Sequence, residues 1–219
     1  WAASKPITNS IAARYLGRRS ITDLSGIDQL RFHPRCYYRP AEDDVPGVRE
    51  AWPAMIAAVT DNEGTITGVH RTWLDPQSYD KAAVAYPRRA MGHLLGSGVR
   101  FGKADGVMVA GEGLETLLSL RQVMPSMPMI AGLSAAHLAA IQFPAALRCL
   151  YVARDDDPAG ATALSTLTER CDPLGIAVIP LEPRLDDFNS DLTAYGHERL
   201  AAAIRVQLSA ADAVRFLKE

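Results

Sequence analysis

The second half of the chain alternates short apolar runs with longer helix-like segments, and this alternation limits the fold more than any other feature. Four runs rich in Val, Ile, Leu and Met fit β-strands, at residues 106–110, 127–131, 147–153 and 175–181. Helix-like segments separate them, at residues 112–124, 134–143 and 158–171. Parallel strands need a crossover connection of this kind, which is almost always right-handed. The pattern therefore predicts a parallel sheet flanked by helices.

The first hundred residues have a different pattern, with signals for antiparallel strands. Two β-prone runs, at residues 53–60 and 65–75, are joined by the turn-like sequence DNEG and predict a β-hairpin. Residues 7–20 have helical spacing, and Asn9 or Ser10 can cap a short amphipathic helix there. We expect an α/β chain of three parts: a smaller α+β subdomain at residues 1–104, a parallel-sheet domain at residues 105–195, and C-terminal helices at residues 196–219.

Composition limits the cellular setting. The 219 residues are 48% hydrophobic, and no apolar run reaches the roughly 18 to 20 residues that a membrane-spanning helix needs. Cys36, Cys149 and Cys171 lie far apart and form no CxxC pair, which disfavours disulfides or a structural zinc site and favours a cytoplasmic protein. The chain starts at Trp1 without a leader-like segment, and we expect it to be a piece of a longer protein.

The net charge of −2 conceals an imbalance between the two halves of the chain. Residues 1–104 carry 14 Lys and Arg against 10 Asp and Glu, a balance of +4. Residues 105–219 carry 9 Lys and Arg against 15 Asp and Glu, a balance of −6. A basic part beside an acidic part suits an enzyme that holds a polyanion on one side and metal ions on the other.

Acidic residues follow three of the four predicted parallel strands. Glu112 comes after the first strand, Asp155 and Asp157 come after the third, and the acidic segment after the fourth contains Asp187 and Asp191. Ligands of open α/β sheets bind at the carboxyl ends of the strands. We therefore expect these carboxylates to converge at one edge of the sheet.

Each of these residues also has a purely structural interpretation. An Asp at the start of a helix caps free amides and suits the helix dipole, and Glu112 can be an ordinary residue of a first helical turn. If the third strand stays extended, however, Asp155 and Asp157 share one face. Mg²⁺ prefers oxygen ligands and needs only one or two carboxylates beside water and phosphate oxygens. A glutamate and a D-x-D pair around one cleft therefore fit metal-dependent phosphoryl transfer.

The segments VMVAGEGLETLLSL, LYVARDDDPAGATAL and LDDFNSDL together resemble the Toprim domain of DnaG-type primases, topoisomerases and some nucleases. The resemblance covers about residues 105–195. It implies the Toprim-like α/β fold, Glu112 as a general acid/base, and Mg²⁺ or Mn²⁺ as the cofactor. The metal ligands that it implies are Asp155, Asp157, Asp187 and Asp191.

The resemblance also implies supporting roles for Gly113, Glu115, Gly160 and Asn189. Glu115 falls where many members carry an Asp, and Gly160 matches a glycine that lets the helix approach closely. Ser190 separates Asn189 from the following aspartate, whereas primase-like members often have these two residues adjacent. Which of the last two aspartates faces the metal therefore stays open.

Four earlier segments, AARYLGRRSI, DNEGTITGVHRTWLD, DKA and GSGVRF, resemble primase-like proteins of plasmids and phages. In that family the corresponding part forms the other wall of the polymerase cleft. The resemblance implies five basic residues that bind nucleotide phosphates or the template backbone: Arg71, Lys81, Arg88, Arg89 and Arg100.

Together the resemblances imply a primase-type nucleotidyltransferase of a plasmid, phage or other mobile element. Its substrates would be nucleoside triphosphates and a single-stranded DNA template, and a helicase or relaxase would be a further partner. Two alternatives stay open. One is a Mg²⁺-dependent Toprim nuclease, although the chain lacks the GxxxxGK[ST] loop of the ATPase that precedes one class of them. The other is a non-catalytic DNA-binding module of a replication or mobilisation complex.

Overall fold

The computed structural model describes residues 1–218, and the first part is built on a five-stranded antiparallel sheet. Its strands lie in the order β1 to β5, with these bounds: β1 Lys5–Pro6, β2 Leu30–Tyr37, β3 Ala51–Thr60, β4 Ile66–Trp73 and β5 Arg88–Gly92. The predicted hairpin is confirmed, because β3 and β4 pair antiparallel across the turn at residues 61–64.

A helix, α1 at Ile11–Arg18, lies against this sheet. The Ser10 side chain caps it by accepting a hydrogen bond from the Ala13 amide at 3.2 Å, so Ser10 is the cap rather than Asn9. Tyr15 and Leu16 are fully buried and belong to the main hydrophobic core. Burial of this apolar stripe is what stabilises so short a helix.

The second sheet has the order β10-β9-β7-β8-β6. Its strands have these bounds: β6 Val99–Phe101, β7 Val107–Gly111, β8 Met129–Ala131, β9 Cys149–Ala153 and β10 Ala177–Leu181. Strands β7 to β10 are parallel and lie at the four predicted positions. Strand β6 adds to β8 in the antiparallel direction. Strand β6 lies before the expected boundary at residue 104, but it is hydrogen-bonded to the sheet that lies after this boundary.

Helices cover both faces of this sheet, as predicted. Their bounds are α2 Leu114–Val123, α3 Ala135–Ala139, α4 Pro158–Cys171, α5 Phe188–Arg205 and α6 Ala210–Phe216. Val109 and Tyr151 point into one core cluster and Met108 and Leu150 into the other, as strand alternation requires. Each of these helices is too short or too polar to cross a membrane.

Helix α3 is half the length of the segment predicted at residues 134–143. The chain leaves the helix after Ala139, and the Gln142 amide donates to the Gly96 carbonyl at 3.0 Å instead of continuing the helical pattern. A tertiary contact therefore overrides the local helix propensity.

The main core cluster contains residues of both sheets, such as Met55 and Val109, so the two sheets share one core and a cavity opens between them.

Candidate active site

The parallel strands end at one edge of the second sheet, and a cavity of about 530 Å³ opens at that edge. Glu112 follows β7, Ser134 follows β8, Asp155 follows β9, and Asp187 precedes α5. All four line the cavity. The structure thus brings together carboxylates from three separate crossings of the chain.

Asp155 lies half-buried among other carboxylates. Burial and the charges of Asp187, Glu112 and Asp157 raise its pKa to about 6. Its Oδ1 atom is buried and has no hydrogen-bond partner. The Thr116 side chain acts in the opposite direction but does not offset the cost of ionising this carboxyl group.

Glu112 lies at the tip of β7 and is also half-buried. Burial and the charge of Asp157 raise its pKa, while Arg88 acts in the opposite direction. The Glu112 carbonyl accepts a hydrogen bond from the Leu133 amide at 2.9 Å, and Leu133 has an unusual φ of 74°. A half-buried carboxyl group with a raised pKa is suited to exchanging protons with a bound substrate.

The two aspartates of the D-x-D pair have different surroundings. Asp157 is exposed and caps α4, since its Oδ1 accepts a hydrogen bond from the Gly160 amide at 2.7 Å. A Cβ atom on Gly160 would lie 2.6 Å from the Asp155 carbonyl oxygen, so this approach requires glycine. Of the pair, Asp155 lines the cavity and Asp157 does not.

The two late aspartates also differ. Asp187 lines the cavity and caps α5 by accepting a hydrogen bond from the Ser190 amide at 2.6 Å. Asp191 is buried, and its two carboxylate oxygens accept hydrogen bonds from the amides of Arg184 and Leu185 at 2.8 and 2.9 Å. Asp191 therefore holds the loop before α5, and Asp187 is the residue of the two at the cavity.

The antiparallel sheet supplies a basic wall opposite these carboxylates. His70 on β4 and Arg88 on β5 lie on the same face of that sheet and line the cavity. Lys81, which is half-buried, lines it as well. Burial lowers the pKa of Lys81, and the charge of Glu115 acts in the opposite direction. The cavity is thus acidic on one side and basic on the other.

Of the predicted basic residues, Arg71 and Arg100 do not line this cavity. The guanidinium of Arg71 lies on the opposite face of β4, with its Cζ atom 4.8 Å from the centroid of the Trp73 ring. Arg89 borders the cavity, but its Cζ atom lies 4.6 Å from the centroid of the Tyr38 ring. Arg100 lines a second cavity of about 570 Å³ elsewhere in the molecule.

The end of α1 adds Arg19, a cavity residue that the sequence analysis missed. Arg19 forms an ion pair with Asp80 at 3.1 Å, and its Cζ atom lies 4.7 Å from the centroid of the Tyr15 ring. Tyr15 in turn donates a hydrogen bond to Glu115, which also lines the cavity. Burial alone would raise the pKa of Glu115, but the hydrogen bond from Tyr15 and the charge of Lys81 lower it.

Two more of the predicted supporting residues line the cavity. Gly113 lines the cavity at the start of α2. The Asn189 side chain lines it too, and its Nδ2 donates to the Arg19 carbonyl at 2.9 Å and to the Ser119 hydroxyl at 3.0 Å. Asn189 therefore ties the first part of the chain to α2 and α5.

The oxygen atoms at the acidic edge fit a hard divalent cation. Within residues 1–218, no group of three His, Cys, Asp or Glu side chains is placed so that it could hold a metal ion alone. Asp155 and Asp187 nevertheless face one cavity, and Asp155 has a buried oxygen without a partner. Mg²⁺ is commonly bound by one or two carboxylates, with water and substrate phosphates completing the shell. Asp155 and Asp187 can therefore hold Mg²⁺ only if water molecules and substrate phosphates supply the remaining ligands.

Two sequence families match consecutive parts of the chain. The Toprim domain profile matches residues 107–198, and a profile described as Domain of unknown function (DUF7146) matches residues 1–101. No curated protein matches the chain. The match of residues 107–198 to the Toprim domain agrees with their parallel sheet and its acidic edge.

Solved structures extend the comparison to both parts of the chain. The primase fragment of the bacteriophage T7 primase-helicase protein is 15% identical, with a TM-score of 0.52 over 94% of this chain and 74% of that one. A DNA primase domain from Pseudomonas aeruginosa is 18% identical, with a TM-score of 0.57 over 91% and 72%. The RNA polymerase domain of Mycobacterium tuberculosis primase DnaG, in complex with double-stranded DNA, is 15% identical, with a TM-score of 0.52 over 90% and 74%. Such low identities show the fold alone, and the chain has the fold of a Toprim primase core.

Proposed function

We propose that the chain is the catalytic core of a DNA primase, which synthesises primers from nucleoside triphosphates on a single-stranded DNA template. The observation that carries this proposal is the cavity in which Glu112, Asp155 and Asp187 face Lys81 and Arg88. A nucleoside triphosphate is a compact polyanion, and its transfer chemistry depends on positioning and charge stabilisation. A basic wall opposite an acidic, oxygen-rich wall supports both requirements.

Each cavity residue has a role in this proposal. Lys81, Arg88 and Arg19 would hold phosphate oxygens with charge-assisted hydrogen bonds. Asp155 and Asp187 would hold a Mg²⁺ or Mn²⁺ ion, which would supply charge stabilisation for phosphoryl transfer.

Glu112, with its raised pKa, would accept a proton from the attacking 3′-hydroxyl or return one to the leaving group. Asp157 and Asp191 would act indirectly, by fixing the start of α4 and the loop before α5. Glu115, anchored by Tyr15, would keep the charge of Lys81 in place.

The proposal also includes partners and a setting. The template would contact the basic first part of the chain, and a helicase or relaxase would deliver it. The complex of the Mycobacterium tuberculosis domain with DNA supports a nucleic-acid partner. We place the protein in the cytoplasm and in the replication system of a plasmid, phage or other mobile element.

Primer synthesis on a single-stranded template with labelled nucleotides and Mg²⁺ or Mn²⁺ tests the proposal. Asp155→Asn should lower synthesis roughly 100-fold or more, as expected when a ligand of the metal that stabilises developing charge is lost. Asp156→Asn is the matched control, because Asp156 is an exposed neighbour that pairs with Arg154 at 3.3 Å. Equal activity of the two variants would refute the assignment, and shortening of the template without primer products would indicate a nuclease.

Metal binding can be measured without catalysis, by Mn²⁺ electron paramagnetic resonance and by thermal unfolding. A ligand that binds the folded state raises its stability by mass action. Mn²⁺ with a nucleoside triphosphate should therefore raise the unfolding temperature of the wild type and of Asp156→Asn. Asp155→Asn and Asp187→Asn should show a much smaller rise. A rise of the same size in all four proteins would exclude these two residues as ligands.

A further inference from the structure

Strand β4 carries two buried polar side chains on its face toward the cavity. His70 and Thr72 are two residues apart, so both side chains lie on the same face of the strand. His70 is 8% exposed and lines the cavity, whereas Thr72 is fully buried and does not line it. Within residues 1–218, the Nδ1 atom of His70 and the Oγ1 atom of Thr72 are buried without a hydrogen-bond partner. His70 is therefore a hydrogen-bonding group with unused capacity that a ligand in the cavity can reach.

Small neighbours leave room beside the His70 ring. In the strand register, His70 lies opposite Ala57 on β3 and Ala90 on β5, and neither of these side chains carries a polar atom. Arg88 lies two residues from Ala90 along β5, so it is a diagonal neighbour of His70. Diagonal neighbours across a strand pair are about 7 to 8 Å apart. One bound nucleotide can therefore contact both the imidazole and the guanidinium group of Arg88.

The His70 ring is neutral in the free protein at neutral pH. Burial lowers its pKa to about 4, and the charge of Glu115 acts in the opposite direction. The charges of Arg88, Arg71 and Lys81 lower the pKa further. A neutral imidazole has one hydrogen-bond donor and one acceptor. The ring therefore differs in its chemistry from the cations that surround it.

The chemistry of a nucleotide indicates which of its groups would meet this ring. Phosphate oxygens only accept hydrogen bonds, and Lys81, Arg88 and Arg19 offer them charge-assisted donors. The base changes with the template, whereas the sugar is the same in every addition. A sugar hydroxyl both donates and accepts, so it matches a neutral imidazole in either tautomer. Since the 3′-hydroxyl must stay free to attack the next nucleotide, the 2′-hydroxyl is the group that remains.

We propose that His70 forms a hydrogen bond with the 2′-hydroxyl of the bound nucleotide and thereby selects ribonucleotides over deoxyribonucleotides. The proposal rests on the proposed function and deepens it, because it assigns to one residue the choice of sugar in the same cavity. A site that is built to bind a substrate hydroxyl rejects the analogue without it, because the buried protein group is then left unpaired. The 2′-hydroxyl is also the group by which a protein can distinguish RNA from DNA.

Isothermal titration calorimetry with Mg²⁺ and without a template measures this preference in the absence of primer synthesis. The ligands are ATP, 2′-deoxy-ATP and 3′-deoxy-ATP. The wild type should bind 2′-deoxy-ATP about tenfold more weakly than ATP, the loss expected when a buried hydrogen-bonding group is left unpaired. It should bind 3′-deoxy-ATP as tightly as ATP.

Two variants of β4 assign the preference to one side chain. His70→Phe keeps a ring but has no hydrogen-bonding atom, and it should bind ATP and 2′-deoxy-ATP with equal affinity. Thr72→Val is the matched control, because it removes the other unpartnered polar atom of this face at a position that does not line the cavity. It should keep the ratio of affinities that the wild type has. A purely structural role of His70 would weaken the binding of both nucleotides by the same factor and leave this ratio unchanged, which would overturn the proposal.

The wild type alone can also overturn the proposal, even if His70→Phe does not fold. Equal affinity of the wild type for ATP and 2′-deoxy-ATP would do so. Weaker binding of 3′-deoxy-ATP than of 2′-deoxy-ATP would do so as well, because the 3′-hydroxyl would then be the group that is recognised. An equal loss of preference in His70→Phe and Thr72→Val would exclude a specific role of His70.

The result is separable from the proposed function. A ribonucleotide preference that depends on His70 in a protein without primer synthesis would refute only the primase assignment. Primer synthesis that depends on Asp155 in a protein with equal affinity for both sugars would refute only the role of His70.

Discussion

His70 should make the stability of the protein depend on pH. Its side chain is 8% exposed and lines the cavity. Burial lowers its pKa from 6.5 to about 4. The charge of Glu115 acts in the opposite direction, whereas the charges of Arg88 and Arg71 lower the pKa further. The folded protein therefore binds this proton less tightly than the unfolded chain does. The difference between the pKa values of the unfolded and folded states corresponds to about 3 kcal/mol of unfolding free energy. This contribution is fully present above about pH 6.5 and is lost as the pH falls toward about 4.

Urea unfolding of the wild type and of His70→Phe at about pH 7.5 and pH 5 measures this contribution. Phenylalanine keeps a ring and removes the Nδ1 atom, which is buried without a hydrogen-bond partner. Between the two pH values the wild type should lose about 2 kcal/mol more than the variant. His93→Phe, at an exposed position, should behave like the wild type. If His70→Phe loses as much stability as the wild type on acidification, the assigned cause is wrong.

Three further substitutions test the support of the site. Tyr15→Phe leaves buried Glu115 without its hydroxyl donor and should cost about 1 to 3 kcal/mol in urea unfolding; an unchanged midpoint would contradict the contact. Gly160→Ala places a Cβ atom 2.6 Å from the Asp155 carbonyl oxygen, and it should lower the free energy of unfolding by about 1 to 3 kcal/mol. It should also reduce the stabilisation by metal, whereas wild-type behaviour would show that the turn can relax. Asp191→Ala releases two loop amides and should speed their hydrogen exchange, and unchanged protection would show that other contacts hold the loop.

Elements with strong local signals could be predicted from the sequence. Helix α4 begins at Pro158, directly after the cap Asp157, and these are the residue types that favour a helix start. The parallel strands are apolar runs bounded by turn residues, so their positions were recognisable. The overestimate of α3 arose because the bond from Gln142 to Gly96 is a tertiary contact that no local pattern reveals.

The acidic edge of the site was predictable for a topological reason, but its details were not. Residues that follow parallel strands must meet at one edge, so a convergence of carboxylates could be inferred. Whether Asp187 or Asp191 faces the cavity depends on which one caps the helix and which one binds loop amides. Tyr15 and Glu115 are 100 residues apart, and their contact depends on how α1 packs against the rest of the fold.

Strand β4 shows why the basic residues of the cavity could not be identified from the sequence alone. His70 faces the cavity and Arg71, the next residue, faces the opposite side, because side chains alternate along a strand. Arg88 and Arg89 likewise point to opposite faces of β5, but β5 is the edge strand of its sheet and both residues border the cavity.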